Sequence, residues 1–166
     1  MKRRLSLSPL IEEVMTGNLA AIRELASSET VTDKDRDGRT ALHVATVRGN
    51  REVAEILLAA GAAPDAVDRR GMTPLHFAAS EHHAELATLL LSAGAKVDSR
   101  DENGNTPLNN AVFESRGRGE LIKILLSAGA NPEEPNNHGV SPRELADTIA
   151  NYDVKQFLPP RTTARG

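Results

Sequence analysis

The chain of 166 residues contains no cysteine and no tryptophan, and aromatic residues make up only 2% of it. Without cysteine, disulfide bonds and cysteine-ligated metal sites are excluded. A broad nucleic-acid-binding surface needs a high density of basic residues and often stacking rings. The scarcity of aromatic rings and the formal net charge of −3 at pH 7 argue against such a surface, so we expect no nucleic-acid partner.

Long apolar runs are also absent from the sequence. No segment approaches the roughly 18 consecutive apolar residues of a membrane span, so we expect no membrane contact. The apolar run after Lys2–Arg4 is broken by serines and by Pro9, which makes it too short for a signal peptide. We expect a cytoplasmic protein in which residues 1–7 form a mobile basic N-terminus and residues 159–166 form a flexible tail.

What the sequence does contain is two short phrases that repeat in register. The phrase Asp-Gly-Arg-Thr-Ala-Leu-His and its variants occupy residues 37–43, 70–76, 103–109 and, more loosely, 138–144. The phrase Leu-Leu-x-x-Gly-Ala occupies residues 57–62, 90–95 and 125–130. Thr40 and Thr73 lie 33 residues apart, as do Thr73 and Thr106, whereas Ser141 follows after 35. Such a period is typical of a stacked array of one supersecondary unit, so function is expected on a surface rather than in a central cleft.

Each copy carries signals for two consecutive helices. Threonine or serine stands where the first helix needs an N-cap, and in three copies proline follows, where its missing N–H is not needed. An i, i+3, i+4 apolar stripe such as Val53–Leu58 then predicts a second helix, which a glycine ends. The apolar face of each unit can be covered only by its neighbours. The expected N-caps are Thr40, Thr73, Thr106 and Ser141, and the terminating glycines are Gly61, Gly94 and Gly129.

These phrases resemble those of the ankyrin repeat family, in which Gly-x-Thr-Pro-Leu-His opens a first helix and Leu-Leu-x-x-Gly-Ala ends a second. The resemblance covers about residues 8–158 and implies an all-α fold. It would be an ankyrin-type helix-turn-helix solenoid with projecting β-turn finger loops and no internal domain boundary. Five repeats are expected, at about residues 8–36, 37–69, 70–102, 103–137 and 138–158.

The terminal repeats are expected to act as caps, since an end repeat must be polar on one face to stay soluble. In the first repeat Ser8–Leu10 replaces Thr-Pro-Leu, and Glu12 and Glu13 place charge on its outer side. In the fifth repeat we expect a second helix that Pro159 and Pro160 end.

The resemblance also implies a function. Such proteins bind a partner protein through the concave surface of their finger tips and first helices, and they rarely catalyse anything. We therefore expect no enzyme activity and no cofactor, and a monomer when free. Glu81–Glu85 contains adjacent histidines, but a structural metal site needs about four ligands in tetrahedral reach. The chain has no cysteine, and the resemblance gives His83 a structural role, so we expect no metal site here. The roles of inhibitor, immunity protein and adaptor stay open, as do the alternatives of a self-associating structural scaffold or an assembly chaperone.

The family's variable positions place the expected partner-binding surface on fourteen residues. Arginines predominate in its first half, and arginine makes forked contacts with carboxylates, so we expect a partner with an acidic patch there. Val67, Met72 and Phe113 would be its apolar anchors. The alternative for Phe113 is that its ring packs under the neighbouring insertion. The alternative is that these charges only keep the fingers soluble. The residues are Arg36, Arg39, Arg48, Val67, Arg69, Arg70, Met72, Glu81, Arg100, Glu102, Asn103, Asn105, Phe113 and Glu114.

Three positions depart from the repeat pattern. Two extra residues within 113–120 widen a loop that is either a tolerated surface insertion or a partner-specific bulge. Asn109 replaces the motif histidines His43 and His76, which we expect to hydrogen-bond loop backbone within the stack. His82 occupies the position of a glycine, where left-handed backbone costs a non-glycine residue roughly 1 kcal/mol, so this turn is expected to differ.

Overall fold

The structure, a computed structural model, describes residues 7–160 and builds them from helices joined by turns. No β-strand occurs within this range, which confirms the all-α fold. Lys2–Arg4 and residues 161–166, for which a mobile lead-in and a tail were predicted, lie outside the described residues. The helices are α1 Pro9–Thr16, α2 Leu19–Leu25, α3 Ala41–Val47, α4 Arg51–Ala59, α5 Pro74–Ser80, α6 Ala84–Ser92, α7 Pro107–Phe113, α8 Glu120–Ser127 and α9 Pro142–Thr148, with 3-10 turns at Thr30–Thr32 and Val154–Phe157.

The helices stack in two layers. The first helices α1, α3, α5, α7 and α9 pack against one another in chain order, and the second helices α2, α4, α6 and α8 do the same. Leucines that recur at the repeat period, such as Leu42, Leu75 and Leu108, are fully buried between neighbouring units. The predicted helix-turn-helix solenoid is therefore confirmed, with a core that runs along the stack instead of closing into one centre.

The first helices begin where the sequence predicts. Thr40, Thr73, Thr106 and Ser141 are the N-caps of α3, α5, α7 and α9, and each forms a reciprocal capping box with the residue three positions later. In the first repeat α1 begins at Pro9, but the Ser8 hydroxyl donates to the Asp33 carboxylate instead of capping the helix. The consensus motif thus sets both the start and the cap of the helices that form the inner layer.

Four tight turns, here called fingers A (34–40), B (67–73), C (100–106) and D (135–141), precede α3, α5, α7 and α9. Each is held by one side chain, Asp35, Asp68, Asp101 or Asn136, whose Oδ1 accepts the backbone N–H groups two and four residues later at 2.8–3.0 Å. Neighbouring fingers are joined by backbone hydrogen bonds. These run from the N–H groups of Arg69, Glu102 and Asn137 to the carbonyls of Asp37, Arg70 and Asn103.

The motif histidines connect each first helix to the next finger. The Thr40 N–H donates to His43 Nδ1 at 3.1 Å, so Nε2 carries the proton and donates to the Met72 carbonyl at 3.1 Å. His76 repeats the arrangement with the Asn105 carbonyl at 3.0 Å. The expectation that these histidines bind loop backbone is confirmed, and both histidines are buried.

Asn109 keeps one half of this arrangement and loses the other. Its Oδ1 accepts from the Thr106 N–H at 2.9 Å, as a histidine Nδ1 would. The shorter side chain leaves the buried Nδ2 without a hydrogen-bond partner. The equivalent carbonyl in finger D, that of Val140, accepts the Asn136 N–H. The connection that His43 and His76 make to the next finger is therefore missing between α7 and finger D.

The turn at His82 does not differ from its counterpart in the second repeat, contrary to expectation. His82 takes a left-handed φ of +59°, close to the +68° of Gly49. Its Nε2 contacts the backbone carbonyl of Glu114 in the next repeat. This contact crosses the boundary between two repeats.

The insertion in the fourth repeat contacts the C-terminal segment. Gly117 lies against the ring of Tyr152, where an added Cβ would be 3.0 Å from Cδ1, and a Cβ on Gly119 would overlap the ring of Phe157. The second helix expected in the fifth repeat is instead the 3-10 turn Val154–Phe157. The glycines of the insertion thus make room for the two aromatic rings that close this end of the described chain.

Exchanging the residues at the histidine and asparagine positions should move stability in opposite directions. His76→Asn removes the bond to the Asn105 carbonyl and should lower the free energy of unfolding by about 1–3 kcal/mol. Asn109→His gives the Val140 carbonyl a donor and should raise it by about 1 kcal/mol. Urea denaturation with matched m-values measures both. An Asn109→His variant no more stable than the parent would contradict this account.

Gly119→Ala should cost about 1–3 kcal/mol, because the new methyl group overlaps the Phe157 ring while the φ of −107° suits alanine. In a Phe157→Ala background the same substitution should cost much less. Urea denaturation of the two single variants and the double variant gives the coupling energy. Strictly additive costs would show that the insertion and the C-terminal turn are independent.

Candidate interaction surface

The fourteen residues expected to bind a partner differ in exposure. Ten are exposed on the fingers, at the ends of the first helices or in the turns after them, three are half-buried, and Met72 is buried. The exposed residues are Arg36, Arg48, Val67, Arg69, Arg70, Glu81, Arg100, Glu102, Asn103 and Phe113, and the half-buried ones are Arg39, Asn105 and Glu114.

Met72 does not fit the expected role of an exposed anchor. Only 9% of the residue is accessible, and its backbone is fixed on both sides. Its N–H donates to Asp68 Oδ1 and its carbonyl accepts from the Asp68 N–H and from His43. These bonds hold the end of finger B with the Met72 side chain turned inward, away from any partner.

The arginines of fingers A and B gather around one buried carboxylate. Asp68 Oδ2 lies 3.9 Å from Arg39 Nε and 3.8 Å from Arg70 Nε. The Arg39 guanidinium carbon is also 5.0 Å from the centroid of the Phe77 ring, within cation–π range. We call Arg39, Arg69 and Arg70, which line a cavity of about 240 Å³ together with Asp37 and Asp68, the arginine cluster.

Asp68 lies close to the arginines of this cluster but does not form strong hydrogen bonds with their guanidinium N–H groups. The Asp68 Oδ1 is occupied by two finger N–H groups, and the distances from Oδ2 to the arginine Nε atoms are too long for strong hydrogen bonds. Arg39 Nε is buried without a hydrogen-bond partner. More than half of the Arg70 side chain is exposed, so guanidinium donors of the cluster face solvent.

Arg100, in finger C, is engaged within the chain. Its Nη1 donates to Glu134 at 2.7 Å and its Nη2 to the Pro135 carbonyl at 2.9 Å. The side chain therefore links finger C to finger D, and its guanidinium is not a free cation for a partner.

Three other predicted residues have structural roles in the fingers. Asn105 accepts from His76 through its carbonyl and from Asn136 Nδ2 through Oδ1 at 2.8 Å. Glu102 and Asn103 bond to neighbouring fingers through backbone atoms, which leaves their side chains exposed. Of the three, Glu102 and Asn103 are available to a partner.

A second cavity lies between fingers C and D and the ends of α5 and α7. It has a volume of about 480 Å³, and we call it the amide groove because four asparagines line it. Phe113, at the end of α7, is 67% exposed on its wall, so the ring does not pack under the insertion. Its lining residues are Ser80, Asn105, Asn109, Asn110, Phe113, Glu114, Asn136, His138, Val140 and Leu145.

Sequence reasoning missed Asp68 and Phe77, which position Arg39, and it missed Leu145 as part of a groove. A signal for Asp68 was present, since Asp35, Asp68 and Asp101 recur at the repeat period. No such signal exists for Phe77, because its contact with Arg39 joins two repeats through space.

Two other kinds of feature, a metal cluster and a membrane-spanning helix, are not found among the described residues. Between residues 7 and 160, no group of three histidine, aspartate or glutamate side chains could hold a metal ion. In the same range no helix is both long and apolar enough to cross a bilayer.

Burial favours the neutral form of the two motif histidines. Burial is the main cause that lowers the pKa of both His43 and His76, and the hydrogen bonds to the Met72 and Asn105 carbonyls only partly oppose it. A neutral ring is also what the geometry needs, because Nδ1 must accept from the N-cap N–H.

Comparison with protein families agrees with this architecture. A family model described as ankyrin repeats in three copies matches residues 2–68 and again residues 59–136. Together the two matches span well over half of the chain, and they include fingers A, B and C and the arginine cluster.

Acidification should destabilise the fold before carboxylates titrate. Because the folded-state pKa of His43 and His76 lies below the unfolded value of about 6.5, the unfolded chain binds more protons once pH falls below that value. This contribution is complete above about pH 6.5 and is lost as pH falls. The melting temperature should therefore drop between about pH 7.5 and 5.5, and less steeply in His76→Asn. His43→Asn should flatten the slope in the same way, and a parent-like slope in both variants would contradict this account.

Proposed function

Since the chain belongs to the ankyrin repeat family, we propose that it is a non-catalytic module that binds a partner protein through its fingers and first helices. Ankyrin repeats are generally protein–protein interaction modules. The stack supplies a surface whose turns are already fixed by hydrogen bonds, which reduces the ordering cost of binding.

The proposed module is a single array over about residues 8–158 with five repeats, the outer two acting as caps. The polar outer side of α1 supports the first cap, because Glu12 is exposed while Leu10 and Ile11 are buried. At the other end Val154 and Leu158 are buried, and the 3-10 turn that begins at Val154 packs against α9. We propose that the free array is a monomer.

The observation that carries the proposal is the arginine cluster. The buried Asp68 carboxylate lies within ion-pair distance of Arg39 and Arg70, the Phe77 ring contacts the Arg39 guanidinium, and the exposed Arg69 lines the same cavity. Pre-oriented guanidinium groups lose less side-chain entropy when they meet a carboxylate. Arg36 in finger A and Arg48 at the end of α3 are two further exposed arginines of this half of the chain. We propose that this half of the surface meets an acidic patch of the partner.

Not all of the fourteen predicted residues can contact a partner protein. Met72 and Arg100 are left out, since the first is buried and the second is paired within the chain. The other proposed contacts near the cluster are Val67 and Glu81, both exposed. Whether binding inhibits, recruits or assembles the partner follows from which part of the partner the surface covers.

Reversing charge in the cluster should abolish partner binding. We expect Arg69→Glu with Arg70→Glu to weaken the complex at least about tenfold, since like charges then face the acidic patch. The protein is immobilised, partners from a lysate of the source organism are identified by mass spectrometry, and the affinity of the purified partner is measured by calorimetry. Arg116→Glu with Arg118→Glu changes the charge equally on the loop between α7 and α8 and should leave affinity unchanged.

Self-association through the same surface is the competing explanation, because exposed Glu81 and Glu102 share it with the arginines. Light scattering over a concentration series distinguishes the two. A mass that rises with concentration, and that falls back in the Arg69→Glu, Arg70→Glu variant, would replace the partner proposal. Unchanged partner affinity in that variant would remove the arginine cluster from it.

A further inference from the structure

The amide groove differs in chemistry from the arginine cluster. Among its ten lining residues, Glu114 is the one with a formal charge at neutral pH when His138 is neutral. Four asparagines line the groove, but three of them use their amide N–H groups within the chain, on Asn105, Asp101 or Ser80. Asn109 Nδ2 is the exception. An acidic partner segment would find no counter-charge here, whereas an uncharged peptide carbonyl can accept from that amide.

The groove also presents apolar surface that nothing in the described chain covers. Phe113 is 67% exposed, and the half-buried Val140 and Leu145 line the same cavity. Exposed aromatic side chains next to a cavity are frequent anchors in protein interfaces. The volume of about 480 Å³ suits a few side chains of a peptide segment.

The floor of the groove holds an unpaired donor. Asn109 lines the cavity and is only 3% accessible, and its Nδ2 has no hydrogen-bond partner. The amide cannot be turned around, because Oδ1 must accept from the Thr106 N–H at 2.9 Å. A buried donor without an acceptor costs stability, so an acceptor that reaches Nδ2 recovers a hydrogen bond.

We propose that the amide groove binds an uncharged, extended segment of the partner protein. The segment places an apolar side chain against Phe113, Val140 and Leu145, and a backbone carbonyl accepts from Asn109 Nδ2. Since Nδ2 is covered in the unbound chain, the lining side chains rotate to admit the carbonyl. This inference rests on the proposed function and gives the partner two parts. One part is acidic and faces fingers A and B, and the other is uncharged and apolar and faces fingers C and D.

Peptide selection tests the groove without a known partner. A random-peptide phage library is selected on the immobilised full chain, and the affinities of enriched peptides are measured by fluorescence polarisation. We expect peptides with few charges and an apolar residue. Phe113→Ala and Asn109→His should each weaken them by about tenfold, whereas Arg69→Glu with Arg70→Glu should leave them unchanged.

Two controls separate binding from folding. Met15→Ala removes another exposed apolar side chain, on α1 at the far end of the stack, and should have no effect on these peptides. Asn109→His should fold at least as stably as the parent, so a loss of peptide binding in that variant reports on the groove. Its urea midpoint is measured alongside.

The outcomes distinguish this inference from the function on which it rests. Enrichment of acidic peptides alone, sensitive to the arginine reversal and indifferent to Phe113→Ala, would overturn the inference and leave the proposed function in place. Sensitivity to Phe113→Ala without sensitivity to Asn109→His would overturn the carbonyl contact. If no peptide is enriched and a captured partner binds Phe113→Ala as well as the parent, the inference is also overturned. Failure of both selection and capture would overturn the proposed function too.

Discussion

The structure depends on contacts between adjacent repeats, because no helix pair can bury its apolar side alone. Buried leucines supply the attraction, but apolar contact is not directional and does not fix how one unit sits on the next. Directional bonds do that. The finger-to-finger backbone bonds and the bonds from His43 and His76 to the following finger set the spacing and rotation of each step. Because the backbone bonds recur from finger A to finger D, a rigid surface arises from short and individually unstable units.

The same constraint shapes the candidate interface. A finger that must present its backbone to the next finger needs a residue such as Asp68 to hold its turn. Once buried there, the Asp68 carboxylate also attracts Arg39 and Arg70 and orders them. The structural role of Asp68 and the binding role that we propose for the neighbouring arginines therefore depend on one side chain. Arg100 illustrates the opposite outcome, since a similar arginine one finger later is consumed by Glu134.

The fourth repeat shows what happens where the pattern is broken. With asparagine at position 109, α7 loses its bond to finger D, and the unpaired Nδ2 lies in the amide groove. The insertion after Phe113 does not cover that ring, and its glycines instead receive Tyr152 and Phe157. The asparagine thus places a polar group in the groove beside the exposed Phe113 ring. The insertion packs against the C-terminal residues Tyr152 and Phe157. The amide that lacks a bond to finger D is therefore the same amide to which we assign a hydrogen bond with the partner.

The sequence by itself determined the fold. The caps, prolines and terminating glycines specify the two helices within each repeat, and the nearly constant period indicates that the repeats stack in one array. It also indicated that the motif histidines bind loop backbone. Only the tertiary structure decided which variable residues are free. Met72 is buried, Arg100 is paired with Glu134, and the Arg39 guanidinium lies over the Phe77 ring. The contacts of both arginines are made with residues more than 30 positions away in the chain. Local signals specify helices and turns, whereas the availability of a side chain depends on neighbours that are distant in sequence and close in space.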